Sequence, residues 1–221
     1  SNKTLVGLGR GAALRGVGLD VGASRNVILR NLALYDLNPE YLQAGDGLRL
    51  AGASSVWLDH ATFKWISDGF VDVSASTVGT TLSYSLFDGG TTAECTGQER
   101  WAMSIYDSEV TVHHCRFDQT SSRSPFATGA TARLHLFNNV ASNGLDWTVG
   151  SGCLAQVLME GCVFENDQAV TRLSTCSTSY ERGLMNAPPG SNSYRDESTV
   201  HVGGDGGEPH DAVFTPSYIY P

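Results

Sequence analysis

The sequence lacks the features that define several classes of protein. It contains no uninterrupted apolar run of about 18 residues, so a membrane-spanning helix is not expected. Basic residues are few, with 14 Lys and Arg against 23 Asp and Glu and a formal net charge of −9. This balance argues against a nucleic-acid-binding protein, which needs a basic face. The five cysteines show no CxxC spacing, so zinc is not expected either.

The residues that are abundant favour turns and short strands. The chain of 221 residues contains 25 glycines, and 41% of its residues are hydrophobic. Such a composition suits a globular protein with many turns better than one built from long helices. The chain opens at Ser1 without a methionine or a signal-peptide pattern, so we expect a processed form of the protein.

A repeated pattern runs along most of the chain. Six segments each combine a β-rich run, a polar pair and an apolar residue: NVILRNLAL, SVWLDHATF, GTTLSYSLF, EVTVHHCRF, RLHLFNNVA and AQVLMEGCVF. Their alignment brings one column of residues to an equivalent site, at intervals of 29, 24, 30, 24 and 23 positions: Leu32, Ala61, Ser85, Cys115, Asn139 and Cys162. Such intervals fit the turns of a parallel β-solenoid. A β-sandwich remains the alternative, but it does not require an aligned interior column.

The solenoid interpretation makes predictions about the cysteines. Adjacent turns lie about 4.8 Å apart, so Cys115 and Cys162, two turns apart, would be separated by about 10 Å. That separation is too long for a disulfide, so we expect both to be buried thiols. Cys153 and Cys176 lie in loop-like sequence and are the more plausible pair. Cys95 would stay free or pair outside this chain.

The β-run pattern ends before the end of the chain. We therefore expect a single domain in which residues 1–176 form solenoid turns. Residues 177–221, which contain Pro188-Pro189 and Gly203-Gly204, are expected to form an irregular tail. This tail would pack along the solenoid exterior or cap its last turn, because an uncovered turn exposes the edges of the sheets.

An ordered set of motifs resembles a known family. From Ser1 to about Glu165 the chain is similar to pectate lyases of the parallel β-helix superfamily, polysaccharide lyase family 1, through these stretches: SNKTLVGLG, NVILRNLAL, SVWLDH, DGFVDV, VTVHHCRF, SRSP, LHLFNN and MEGCVFE. The resemblance implies an all-β, right-handed, single-stranded parallel β-helix. It also implies a secreted protein, which we expect to be a monomer, acting on an acidic polysaccharide.

The resemblance further implies a site. The family cleaves polygalacturonate by β-elimination, using Ca²⁺ and an arginine that removes the proton at C5 of the sugar. Its metal positions fall on Asp46 in AGDGLRL and on Asp68 and Asp72 in SDGFVDV, and its arginine falls on Arg123 in RSP. Arginine is an unusual base, because its ordinary pKa exceeds 12. Stabilisation of developing negative charge is the chemically easier role for this side chain.

The spacing of these residues sets conditions for a shared site. Ca²⁺ prefers six to eight oxygen ligands, so three carboxylates would need water and substrate oxygens to complete the shell. Asp68 and Asp72 would lie about 13 Å apart on a straight strand, so the chain must bend between them, which Gly69 permits. Asp46 is about one turn from Asp68, and Arg123 about two turns from Asp72, which is about 10 Å along the axis.

Several positions depart from the family pattern. Ala44 replaces an acid, Thr91 or Thr92 replaces a substrate-binding lysine, and Thr128 replaces a second arginine. These losses predict a weaker grip on a charged polysaccharide, or another substrate, either a different uronate or a less charged chain such as methyl-esterified pectin. The retained Asp68 and Asp72 argue against that substrate, since relatives that cleave it often replace the metal acids. Three cations are candidates to compensate: Lys64, Arg100 and Arg116.

Other interpretations of the same residues remain open. The aspartates are also typical turn residues, and Arg123 could form a surface pair with Asp118. The Asp59-His60 pair and His113-His114 are expected to be structural. Trp57 and Trp65 are expected to pack in the core or in loops, whereas Trp101 and Trp147 are candidates for a sugar platform. The whole chain could be a catalytically degenerate carbohydrate-binding relative. It could also be a hydrolase on the same solenoid, which would need carboxylates on both sides of a glycosidic bond.

Overall fold

The computed structural model describes residues 1–37, 45–90, 100–177, 180–196, 198 and 208–217. Within these ranges the chain forms short strands and no helix, and thus no helix of the length and apolarity that crossing a membrane requires. The strands, in chain order, are β1 Lys3–Val6, β2 Ala13–Arg15, β3 Leu19–Asp20, β4 Arg25–Arg30, β5 Ala33–Leu37, β6 Leu48–Ala51, β7 Ser54–Asp59, β8 Thr62–Ile66, β9 Gly69–Ser74, β10 Val78–Ser83, β11 Leu86–Asp88, β12 Trp101–Tyr106, β13 Glu109–His113, β14 Arg116–Asp118, β15 Phe126–Thr128, β16 Arg133–Phe137, β17 Val140–Ser142, β18 Trp147–Gly152, β19 Gln156–Glu160, β20 Val163–Glu165, β21 Ala169–Ser174, β22 Leu184–Asn186 and β23 Ser193–Arg195.

The strands form three parallel sheets in which each strand pairs with the strands three before and three after it. The first sheet has the order β1-β4-β7-β10-β13-β16-β19-β22, the second β2-β5-β8-β11-β14-β17-β20-β23, and the third β3-β6-β9-β12-β15-β18-β21. The chain therefore visits the three sheets in turn and advances by one strand at each circuit. This is the predicted right-handed parallel β-helix. The β-sandwich alternative is wrong, because sandwiches are built from antiparallel sheets.

The core consists of stacked columns of apolar side chains, as the register requires. In the first sheet one buried column runs through equivalent positions of six strands: Leu29, Leu58, Leu82, Val112, Leu136 and Met159. In the second sheet the rings of Phe63, Phe87 and Phe117 stack nearly parallel, with centroids 5.3 and 4.8 Å apart. Each circuit therefore buries its apolar side chains against apolar side chains at the equivalent positions of the next circuit, which fixes the register.

The column that the repeats predicted lies at the turn between the first and second sheets, and its members are buried. Side chains there satisfy the buried backbone of the turn. The Asn139 Oδ1 accepts the backbone N–H of Cys115 at 2.9 Å, and its Nδ2 donates to the carbonyl of Val112 at 2.9 Å. Asn192 repeats this arrangement with Cys162 and Met159. The column thus extends one turn beyond the residues that the pattern identified.

The cysteines follow the sequence prediction where the structure describes them. Cys153 and Cys176 form a disulfide, with Cα atoms 4.8 Å apart. Cys115 and Cys162 are buried thiols, and burial raises the pKa of Cys162 to about 11. Cys95 lies outside the described residues.

The tail is more regular than the sequence indicated. The strands β22 and β23 lie beyond the boundary expected at residue 176 and continue the first and second sheets. The segment 208–217 then runs back along the exterior of the first sheet, where Asn186 and His210 form an antiparallel bridge. Residues 214–217 and the outer face of β10 and β13 enclose a cavity of about 420 Å³. The segment 208–217 therefore packs along the solenoid exterior, which is one of the two arrangements expected for the tail.

Candidate active site

The outward face of the third sheet carries a row of residues that is polar over its first four strands. Successive strands present residues at register-equivalent positions along this row: Asp20, Arg49, Asp72, Ser104, Phe126, Gly150 and Arg172. Arg49 donates to the Asp20 carboxylate at 2.7 Å and has Asp72 as its neighbour on the other side. The charged side chains of Asp20, Arg49 and Asp72 therefore lie side by side on three successive turns, and neighbouring strands are about 4.8 Å apart.

Asp46 and Asp68 reach this face from the turns that lead into the third sheet. The chain bends at Ser67 and Asp68, between β8 and β9. The bend expected between Asp68 and Asp72 is not seen, because Gly69 already belongs to β9 and the chain continues as a strand to Asp72. Asp46 lies two residues before β6, and the Gly47 N–H donates to the carbonyl of Gly69 at 3.1 Å, so Asp46 stands beside the start of β9. A Cβ at Gly69 would lie 2.6 Å from Oδ1 of Asp46. Glycine at this position therefore leaves room for the Asp46 carboxylate.

The three carboxylates are close enough to interact electrostatically. Burial, followed by the charges of Asp72 and Asp68, raises the pKa of Asp46 to about 7, against weaker opposing effects of the Gly69 N–H and Arg49. Burial also raises the pKa of Asp72, while the Ser74 hydroxyl, Arg49 and Arg123 lower it. Negative charge is thus concentrated on this part of the outward face of the third sheet, which is called the groove below, and the neighbouring arginines offset only part of it.

Arg123 lies on the same face, two turns from Asp72. Its carbonyl accepts the N–H of Met103 at 2.7 Å, and its guanidinium lies 3.4 Å above the centroid of the Trp101 ring. From there Nη1 donates to the hydroxyls of Ser104 at 3.3 Å and Tyr106 at 3.5 Å. Ser104 is the strand neighbour of Asp72, so the guanidinium occupies the turn directly beside the acidic group.

The alternative pairing of Arg123 with Asp118 is not what the structure shows. Asp118 lies on the second sheet, where it accepts hydrogen bonds from Ser142 and Asn143 at 3.0 Å each. The structure therefore brings Asp46, Asp68, Asp72 and Arg123 to one face, with Trp101 beneath the guanidinium. Asp46 and Arg123 lie in the turns that their spacing predicted, whereas the bend expected between Asp68 and Asp72 lies at Ser67 and Asp68.

The acidic group fits a divalent cation in charge but is not a ready-made cage. Buried carboxylates that raise one another's pKa are groups that a cation would stabilise. In the part of the chain that the structure describes, however, no three His, Cys, Asp or Glu side chains converge as a metal site. A Ca²⁺ ion held here by Asp46, Asp68 and Asp72 would need further oxygens from water or from a bound carboxylate.

The remaining sequence candidates lie elsewhere. Asp59 is buried and accepts hydrogen bonds from His60 and Ser83, while the Nδ1 atoms of His113 and His114 lie 2.9 Å apart, which agrees with structural roles. Trp57 and Trp65 lie on the exterior at 39% and 42% exposure. They pack against side chains of the sheet surface rather than in the core, since Trp57 donates to Ser83 and Trp65 lies edge-on to Tyr35.

Two of the three compensating cations expected from the sequence lie away from the third sheet. Lys64 and Arg116 belong to strands of the second sheet, where Lys64 lies 4.2 Å from the centroid of the Trp65 ring. Arg100 directly precedes β12 of the third sheet, whose first residue Trp101 pairs with Gly69, so its backbone lies near Asp68. Thr128 does lie on the third sheet, beside Tyr106, so the position of the missing second arginine carries no charge. Ala44, Thr91 and Thr92 lie outside the described residues.

Sequence reasoning missed the other groove residues. Arg49, Ser104 and Tyr106 contact or neighbour the candidate site, yet none was identified from the sequence. A signal existed for Arg49: in the stretch LRLA of β6 the two leucines are buried and Arg49 between them is exposed. Alternation along a short strand therefore predicts that Arg49 points outward, next to the aspartates.

Fold and site together define a right-handed parallel β-helix protein with an acid-and-guanidinium groove on one sheet. Comparison with known proteins gives the family: the pectate lyase sequence profile matches residues 1–179. The chain therefore belongs to the pectate lyase family. It is 39% identical over 175 residues to pectin lyase B of Emericella nidulans, which covers 75% of this chain and 45% of that protein. It is 36% identical over 174 residues to a probable pectin lyase F of Aspergillus flavus, covering 75% and 40%. The chain thus spans less than half the length of these relatives.

Solved structures agree on the fold. A Bacillus pectate lyase in complex with trigalacturonate superimposes with a TM-score of 0.69 at 19% identity, covering 99% of this chain and 69% of that one. A pectate lyase II from Xanthomonas campestris gives a TM-score of 0.70 at 21% identity, covering 99% and 71%. At these identities the likeness establishes the parallel β-helix and leaves the chemistry to be argued from the residues.

Proposed function

We propose that this protein is a secreted polysaccharide lyase that cleaves pectic uronate chains by Ca²⁺-assisted β-elimination. The observation that carries the proposal is the position of the Arg123 guanidinium over Trp101, one turn from Asp72 and next to the acidic group. Family membership supports the reaction type, and the trigalacturonate bound to the Bacillus relative supports an acidic sugar as substrate. The monomeric state expected from the sequence stays part of this proposal.

The roles of the residues follow from their charges. Asp46, Asp68 and Asp72 would hold the ion, which neutralises the sugar carboxylate when bound and so favours loss of the C5 proton. Arg123 would lie over the ring carbon that loses the proton. Trp101 and the hydroxyls of Ser104 and Tyr106 fix the orientation of the guanidinium. A guanidinium fixed in this way can stabilise developing negative charge, and it removes the proton if it acts as the base.

Cleavage of methyl-esterified pectin is the second candidate, favoured by the relatives that are named pectin lyases. An esterified chain carries less charge, so it needs neither a cation nor the missing second arginine at Thr128. The acidic group argues against an esterified substrate, because an uncharged ester brings no cation that would neutralise the carboxylates of Asp46, Asp68 and Asp72. The two candidates differ in whether a chelator affects the reaction.

One assay separates these functions. Polygalacturonate and highly esterified pectin are each incubated with the protein, with Ca²⁺ or with a chelator, and the ultraviolet absorbance of the unsaturated product is followed. We expect product from polygalacturonate that the chelator abolishes, and a loss of about a hundredfold or more for Arg123→Lys. Arg116→Lys, on the second sheet, is the matched control. Product from esterified pectin alone, unaffected by chelator, would support the second candidate, and reducing ends without absorbance would indicate hydrolysis.

A further inference from the structure

We propose that Phe126, Trp147 and Arg172 form a further sugar-binding subsite that takes a unit with a free carboxylate. The subsite lies on the third sheet beyond Arg123, and its proposal rests on the proposed function for the class of ligand. The three residues come from consecutive strands of the third sheet, β15, β18 and β21. Phe126 and Arg172 continue the row that holds Asp72, and Trp147 begins the strand between them. Trp147 is three strands from Asp72, about 14 Å along the axis.

Two glycines of β18 leave the space in which the aromatic rings of Phe126 and Trp147 lie. Gly150 occupies the row between Phe126 and Arg172, and a Cβ there would lie 2.6 Å from Cδ2 of Phe126 and would also collide with the Trp147 ring. A Cβ at Gly152 would lie 3.1 Å from Cζ of Phe126. The two rings meet edge to face, with centroids 5.4 Å apart. Glycine normally weakens a strand, so two of them here indicate space kept for the rings.

The charge of Arg172 is available to a ligand. Seven arginines form ion pairs with Asp or Glu: Arg15, Arg30, Arg49, Arg116, Arg133, Arg182 and Arg195. Arg172 has no such partner among the described residues and lies 5.6 Å above the centroid of Trp147. Arg123, in the candidate active site, is arranged in the same way over Trp101. Arg30 also lies over a tryptophan, Trp57, but is bonded to Asp59.

These features specify the chemistry of the ligand. An aromatic face stacks on the C–H face of a sugar ring, and a guanidinium forms paired hydrogen bonds to a carboxylate. Methyl esterification removes the charge and one acceptor oxygen, so an esterified unit would lose the stronger of the two interactions. The subsite would therefore favour a de-esterified unit and would be filled only by chains long enough to extend beyond Arg123.

The experiment measures binding without turnover. Tryptophan fluorescence is titrated in the presence of chelator with a short oligogalacturonate, a long one and the methyl-esterified form of the long one. We expect the long acidic chain to bind about tenfold more tightly than its ester, a preference that Arg172→Gln removes. Trp147→Ala should weaken binding of both long chains and leave the short chain unaffected. The matched controls are Arg195→Gln and Trp57→Ala, whose side chains lie outside the third sheet.

The outcomes distinguish this proposal from the proposed function. A wild-type protein that does not prefer the long acidic chain, or an Arg172→Gln variant that keeps the preference, would overturn the subsite. The same would follow if Arg195→Gln had an equal effect. Failure of the lyase reaction is read separately, from the absence of unsaturated product with the wild-type protein.

Discussion

At the scale of single residues, Gly69 determines where the carboxylate of Asp46 lies. It begins β9 directly after the bend at Asp68, and its missing side chain leaves the space that Oδ1 of Asp46 approaches. Sequence reasoning assigned Gly69 to the bend itself. In the structure Gly69 also makes room for the half-buried carboxylate of Asp46 between two turns, and only the register of β6 on β9 reveals this arrangement.

We expect Gly69→Ala to displace Asp46 and to reduce Ca²⁺-dependent activity by about tenfold to a hundredfold, because small misplacements are costly in a positioned site. Unfolding in urea should change by no more than about 1 kcal/mol. The control is Gly11→Ala, since a Cβ at Gly11 meets no atom within 4 Å. Equal activity of both variants would show that Gly69 does not position the carboxylate.

Asp167 makes the stability of the fold depend on pH, independently of the candidate active site. It is 1% exposed, its Oδ1 accepts the Gly144 N–H, and burial raises its pKa from 3.8 to about 6. The folded state therefore holds this proton more tightly than the unfolded state. The resulting stability is fully present below the unfolded pKa and is lost as pH rises through about 6.

We expect one component of the free energy of unfolding of the wild type to decrease as the pH rises from 3.8, the ordinary pKa, to about 6, the pKa in the folded state. Asp167→Asn should remove that component, because an amide does not titrate. Urea denaturation at several pH values measures it, with Asp20→Asn, an exposed carboxylate, as control. An identical pH profile for wild type and Asp167→Asn would refute the assignment.

At the scale of elements, the turn between the first and second sheets is stabilised by side chains that form hydrogen bonds with buried backbone groups, which water cannot reach. Asn139 satisfies the Cys115 N–H and the Val112 carbonyl and approaches the Cys162 sulfur at 3.8 Å. This links three successive turns through one side chain. The sheets on both sides depend on these turns for their common register.

We expect Asn139→Leu to lower the free energy of unfolding by about 2–5 kcal/mol, since two buried backbone groups lose their partners. Thermal or urea unfolding measures the change. Gln156→Leu, a half-buried position on β19, should change stability by less than about 1 kcal/mol. A similarly small change for Asn139→Leu would mean that the turn is stabilised in another way.

The elements were predictable from sequence to the extent that they repeat. The column from Leu32 to Cys162 was recognised because its members recur at the same place in each segment. Asn192 escaped because β22 and β23 follow irregular segments that interrupt the period. The acids and Arg123 were found through motif order, whereas Arg172 was not, since its meeting with Trp147 depends on sheet register and on space left by Gly150.

At the scale of the whole molecule, the segment 208–217 ties the last turns to the exterior of the first sheet. Both carboxylate oxygens of Asp211 accept hydrogen bonds from Arg182 at 2.7 Å, and Oδ2 also accepts the Met185 N–H. Arg182 therefore lowers the pKa of Asp211. Further along, Phe214 lies edge-on to the buried His135 ring, with centroids 6.5 Å apart.

We expect Asp211→Asn to loosen this segment without unfolding the solenoid. Because the pKa of Asp211 is lowered on folding, its contribution is present above the unfolded pKa and disappears as pH falls. Hydrogen exchange of the Met185 and Ala187 amides should accelerate in the variant at neutral pH. Asp196→Asn is the control, and unchanged exchange in Asp211→Asn would show that the ion pair does not hold the segment.

The proposed reaction depends on carboxylates from neighbouring turns acting together on one cation beside Arg123. The most direct measurement is the Ca²⁺ concentration that gives half the maximal rate of unsaturated-product formation from polygalacturonate. We expect Asp46→Asn and Asp72→Asn each to raise this concentration about tenfold or more, because each removes one charged ligand. Asp36→Asn, whose carboxylate pairs with Arg15 on the second sheet, should leave it unchanged. If neither groove variant shifts the Ca²⁺ requirement, or if product forms equally well in chelator, the shared cation site is contradicted.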